Sequence, residues 1–167
     1  MAALTQAVHH EHKGNLDGFK LAVKCIGADT FYAGALVYAD VTNGKAQVVA
    51  ATGGNWADTD KFIGICAKTV TTTAADQLVE IYTGGVWSFL CDVTPVEGDV
   101  GDVLCMEADT LLTDNPADLA TGAAAGLDDG DVLIGKILAI DARDSDYCWV
   151  AVEPGWNYEA TGVLGWE

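Results

Sequence analysis

Three histidines, His9, His10 and His12, fall within four positions beside Glu11, and imidazole nitrogens so closely spaced are candidate metal ligands. A metal site also needs partners that hold each ring, and a segment with no lasting helix or strand period supplies none, so no metal is assigned. Two acidic runs, Asp128-Asp129-Gly130-Asp131 and Asp141-Ala142-Arg143-Asp144-Ser145-Asp146, offer hard oxygen ligands for calcium. Neither follows the EF-hand order, and each reads more simply as turn chemistry. Cys25, Cys66, Cys91, Cys105 and Cys148 show no CxxC spacing and mostly lie inside apolar runs. With no histidine beyond the first dozen residues to act as a base, they read as small buried hydrophobes in a reducing compartment. Ser88 and Ser145 are the only serines and neither sits in a G-x-S-x-G elbow. Arg143 is the only arginine, and no G-x-x-x-x-G-K-[ST] loop exists to cradle phosphates. Carboxylates abound, but none stands in a recognisable acid–base pair. The chain therefore reads as a non-enzyme without a cofactor.

The balance of charge narrows the partners. Eight lysines and arginines face 25 aspartates and glutamates, a net charge of −17, which repels nucleic acid and anionic lipid over most of the surface. Residues 1–24 are less acidic, holding Lys13, Lys20 and Lys24 against Glu11 and Asp17. No run approaches the ~20 apolar residues of a membrane span, and no basic-then-apolar leader opens the chain, so neither insertion nor secretion is expected.

The elements that would carry any site are strands. From Leu21 onward, short β-branched or apolar runs alternate with Gly, Asn and Asp, the punctuation of an all-β barrel or sandwich. The spacing predicts strands over 20–26, 34–41, 45–50, 62–70, 77–83, 86–92, 102–107, 132–141 and 147–153. Asn43-Gly44 and Gly84-Gly85 predict tight antiparallel hairpins between their flanking strands. Within 77–83, Leu78, Glu80 and Tyr82 share one face, and Val79, Ile81 and Thr83 the other. Only 115–125, opened by Pro116 and limited by Gly122 and Gly126, has the makings of a short helix, with a mobile loop as the equal alternative.

An internal repeat runs through this pattern. Gly34-Ala35-Leu36-Val37-Tyr38 matches Gly101-Asp102-Val103-Leu104-Cys105, and Phe62-Ile63-Gly64-Ile65 matches Leu133-Ile134-Gly135-Lys136-Ile137. Leu78-Val79-Glu80-Ile81 is aligned with Trp149-Val150-Ala151-Val152. Gly64 and Gly135 interrupt strong strand runs, which predicts a bulge, a bend or a close backbone approach. The expected body is thus two related β-halves over 21–153, preceded by an extended arm, 1–20, and followed by an aromatic tail, 154–167.

Ala33-Gly34-Ala35-Leu36-Val37, Phe62-Ile63-Gly64-Ile65-Cys66-Ala67 and Gly98-Asp99-Val100-Gly101-Asp102-Val103-Leu104 carry a resemblance to a known family. It continues through Asp131-Val132-Leu133-Ile134-Gly135-Lys136-Ile137-Leu138 and Tyr147-Cys148-Trp149-Val150-Ala151-Val152. Over residues 21–153 the chain resembles the capsid cement, or head decoration, proteins of tailed bacteriophages. The resemblance implies a barrel-like body, commonly trimeric, that sits on the outer surface of the virion, is made in the host cytoplasm, and clamps the major capsid protein against internal DNA pressure. It implies no catalysis.

The arm and the tail lie outside that shared pattern. Leu4, Val8, Leu16, Phe19 and Lys20 are the candidate capsid-binding residues, because a less acidic extended arm can add backbone pairing and apolar contact. Trp156, Tyr158 and Trp166 are the candidate subunit-interface residues, since aromatic anchors bury large area at low entropic cost. The rival reading is a stand-alone carbohydrate- or calcium-binding β-module built on the same aromatics and acidic turns.

Overall fold

The computed structural model describes residues 11–13, 20–40, 42–48, 61–91, 94–106, 111–113 and 133–152. The candidate helix at 115–125, the acidic run 128–131 and the aromatic tail lie outside the described residues.

The described body is all-β and sandwich-like. In chain order the strands are β1 (His12–Lys13), β2 (Lys20–Lys24), β3 (Thr30–Phe31), β4 (Leu36–Ala39), β5 (Ala46–Val48), β6 (Lys61–Cys66) and β7 (Val70–Thr71). They continue with β8 (Leu78–Tyr82), β9 (Gly85–Cys91), β10 (Val103–Met106), β11 (Leu111–Thr113), β12 (Leu133–Ile140) and β13 (Tyr147–Val152). One sheet has the order β2-β8-β6-β4-β5. The second runs β1-β9-β11-β10-β12-β13, with β13 pairing back onto β9. A small ribbon, β3-β7, completes the set.

The strands form where side-chain alternation lets one face be buried. Val79 and Ile81 are fully buried, while Leu78 is exposed and Glu80 and Tyr82 are half-buried, as the period of two requires. Between β4 and β5 the expected hairpin is present, but its loop is wider than a two-residue turn. The Asp40 amide donates to the Lys45 carbonyl at 3.0 Å, the Asp40 carboxylate accepts from the Thr42 and Asn43 amides, and among the loop's described residues only Gly44 takes a left-handed φ, of 65°.

The second expected hairpin is wrong. β8 pairs with β2 and β6, whereas β9 pairs with β13, β1 and β11, so Gly84-Gly85 is the crossover from one sheet to the other. A glycine pair reports a sharp change of direction without reporting which strand the chain meets next.

The repeat is carried by the backbone. Val37 pairs with Gly64 and Leu104 with Gly135, and both ladders slip just after that pair. The Gly34 amide donates to the Cys66 carbonyl, and Gly101 to Ile137, each at 2.9 Å. The Cys25 amide donates to Gln77 and the Cys91 amide to Asp146, again both at 2.9 Å. The two halves also share a parallel contact, Cys25 with Ala46 and Cys91 with Leu112. One alignment shifts: Cys66 pairs with Ile81 and Ile137 with Val150, so Val150 stands where Ile81 does, two residues short of the match expected from sequence. A shift of two keeps every side chain on its face, which is why the pattern tolerates it.

Two buried clusters follow. Val37, Ile63, Cys66, Val79, Ile81 and Cys25 fill the first half. The second is larger, because Leu36, Tyr38, Phe62 and Ile65 from the other face of β4 and β6 join Phe89, Leu104, Ile134, Ile137, Cys148 and Val150. The halves therefore share a core. Tyr38 is buried without cost to its hydroxyl, which donates to Gln47 Oε1 at 2.6 Å.

Candidate functional site

His12 and Lys13, preceded by Glu11, form the short strand β1 on the outer edge of β9, where His12 lies opposite Trp87 and Lys13 opposite Val86. The Ser88 amide donates to the Glu11 carbonyl at 2.8 Å. Two backbone rungs would not hold a strand alone, and side chains from three elements supply the rest.

The hairpin joining β12 and β13 is built by Asp141 and Asp144. The Asp141 amide donates to the Tyr147 carbonyl at 2.9 Å, and the Tyr147 amide to the Asp144 carbonyl at 3.1 Å. This turn places Arg143 beside the N-terminal strand. The Arg143 Nε and NH2 groups donate to the two Asp141 oxygens at 2.9 and 2.6 Å, and its NH1 group meets Glu11 Oε2 at 2.6 Å. The planar fork of arginine suits such paired recognition. Trp149 on β13 lies under two cations, with Lys13 Nζ 4.1 Å and the Arg143 guanidinium 5.5 Å from its ring centre. The His12 ring meets Trp87 edge-on at 5.3 Å, and Tyr82 stacks at a tilt on the same indole.

The Arg143 guanidinium, hydrogen-bonded to both oxygens, holds the Asp141 carboxyl down at about 2. A carboxylate whose folded value is depressed contributes above its unfolded value, near 3.8, and that contribution is lost as pH falls through about 2. The latch is thus expected to hold from neutral pH to below 4 and to open between roughly 4 and 2, read as faster hydrogen exchange at the Ser88 amide. Arg143→Ala at neutral pH should speed exchange at Ser88 by roughly two- to tenfold, the scale of a solvent-exposed ion-pair network, while leaving β12 unchanged.

The acidic run 141–146 is committed to this turn. Both Asp141 oxygens serve Arg143, an Asp144 oxygen accepts the Asp146 amide, and Asp146 accepts from Thr94 Oγ1. Among the described residues no group of three His, Cys, Asp or Glu is placed to hold a metal ion. All five cysteines are free and buried, and desolvation pushes the Cys66 thiol up to about 11, which keeps it un-ionised at neutral pH.

Of the sequence candidates, Leu4, Val8, Leu16, Phe19, Trp156, Tyr158 and Trp166 lie outside the described residues. Lys20 is the first residue of β2. Its ammonium pairs with Glu80 at 3.5 Å and lies 5.5 Å from the Tyr82 ring centre, so it belongs to the first sheet. A deletion meant to spare the body must stop before it. Sequence reasoning missed the latch formed by Glu11, Lys13, Asp141, Arg143 and Trp149. Its one signal was a lone arginine flanked by aspartates in the acidic part of the chain.

No family model, curated protein or solved structure matches this chain. No helix among the described residues is long and apolar enough to cross a membrane.

Proposed function

We propose that this protein is a capsid cement protein of a tailed bacteriophage, a structural rather than catalytic component. It binds the outer surface of the major capsid shell as a homo-oligomer, in our reading a trimer, and reinforces it against internal DNA pressure. The observation that carries the reading is the latched N-terminal strand. Glu11–Lys13 is held to the outside of a doubly repeated β-body by Arg143 and Trp149, so the residues before it, with Leu4 and Val8, continue from a fixed point on the surface. A rigid body with a sequence-adjacent, less acidic arm is what strand addition to a neighbouring protein requires.

Co-sedimentation of the purified protein with undecorated phage heads tests this. Saturable binding that disappears on removal of residues 1–10 is the expected result. A folded protein that stays in the supernatant at every concentration would overturn it.

A further inference from the structure

The repeat allows a comparison between two strand edges at equivalent places. Cys91 corresponds to Cys25, so Val86, Trp87 and Ser88 on β9 correspond to Lys20, Leu21 and Ala22 on β2. On β9 this edge is covered by β1, and Trp87 is only 4% and Ser88 only 6% exposed. On β2 no strand covers it among the described residues. Leu21 is 48% exposed, and Lys20 and Ala22 are exposed as well.

The direction of the backbone groups follows from the ladder. The Cys25 amide donates to Gln77, so residues 21, 23 and 25 face β8, and the amide groups of Lys20 and Ala22 face away from it. Beyond Lys24 the edge closes again, where Ile26 donates to Ala46. A second bare edge among the described residues is the outer side of β1. There Glu11 bonds Ser88, so the amide groups of His12 face away from β9.

These two edges lie on halves of unlike charge. Among the described residues, 20–82 carry five lysines against Asp29, Asp40, Asp76 and Glu80, whereas 83–152 carry six carboxylates against Lys136 and Arg143 alone. A second copy is therefore attracted in one orientation, with its acidic half toward the lysine-bearing half, and repelled when two acidic halves meet.

We infer that copies of this chain join head to tail, the bare β2 edge of one (Lys20–Ala22) adding the outer edge of β1 (His12) on the acidic half of the next. Such a contact uses two different patches and builds a ring when the rotation closes. Edge lysines on β2 discourage β2 from pairing with another β2, since Lys20 and Lys24 would face their counterparts. The inference does not rest on the capsid reading. Head binding by a monomer would leave the shell-binding part of that reading standing and would overturn this inference together with the homo-oligomer.

Light scattering on the full chain tests it, using Ala22→Pro and His12→Pro, each of which removes an amide hydrogen that faces out of the ladder. The full chain should be oligomeric at low salt and dissociate at least tenfold more readily in about 0.5 M salt, where screening shortens to a few ångströms. Each variant should be a monomer with unchanged circular dichroism, and an equimolar mixture of the two should form a dimer and nothing larger, because one competent edge of each kind remains. Lys20→Glu should weaken assembly at low salt in the same way, and it replaces Ala22→Pro if that variant does not fold. A monomeric full chain, variants that assemble like the parent, or a mixture of folded variants that stays monomeric would each overturn the inference.

Discussion

Gly135→Ala should cost about 3–5 kcal/mol and leave little folded protein at 37 °C, because a methyl group there has nowhere to go. Its Cβ would come within 1.9 Å of the Ala151 carbonyl oxygen and 2.9 Å of the Ala151 carbonyl carbon, both backbone atoms in a ladder that cannot step aside. Gly64→Ala meets the corresponding atom of the first half, the Tyr82 carbonyl oxygen, at 2.3 Å, and also starts from a φ of 153° that L-residues rarely adopt. The two substitutions should therefore be about equally damaging. Gly27→Ala, with nothing within 4 Å, is the neutral control. Denaturant titrations of the three variants decide the matter, and a Gly135→Ala protein within 1 kcal/mol of the parent would show that the ladder yields more easily than two backbone carbonyls should.

Phe62→Ala should cost about 3–5 kcal/mol, the range for removing a buried aromatic ring. Phe62 is fully buried on the face of β6 that joins the second half's core, together with Leu36, Tyr38 and Ile65. Its loss should therefore loosen the contact between halves as well as the strand itself. Calorimetry of the parent should show one transition, since the halves share apolar surface, and the variant a broadened or split one. Val79→Ala, inside the first half's own cluster, should lower the melting temperature without splitting the transition. A single sharp transition in both variants would mean that the halves are coupled by something other than this face.

The body was readable from sequence wherever a strand is long enough to show its period. β6, β8, β9, β12 and β13 span five to eight residues and were placed within a residue or two, apart from an expected 62–70 strand that ends at Cys66 and resumes as β7. β1, β3 and β11 escaped, because two or three residues cannot display an alternation, and their pairing is fixed by partners far along the chain. In the second half the position of β3 is taken by a single turn at Glu97–Asp99, a difference no pattern of apolar residues would reveal. Gly64 and Gly135 announced a close approach of backbone, and the atoms approached are the carbonyls of Tyr82 and Ala151. The latch was hidden for another reason. Glu11 and Arg143 are 132 positions apart in the sequence, and only the fold of the second half brings the β12–β13 turn next to the strand that precedes the first.

That long-range latch sets the path of a mechanical load. A pull on the residues before Glu11 is delivered to β9, in the half that comes later in sequence, and bypasses the first sheet altogether. The breakaway point is then a short run of backbone rungs, one guanidinium fork and a cation over an indole. Such a junction lets go before the shared core does, so the leading strand can be stripped from its seat and settle again while both halves stay folded.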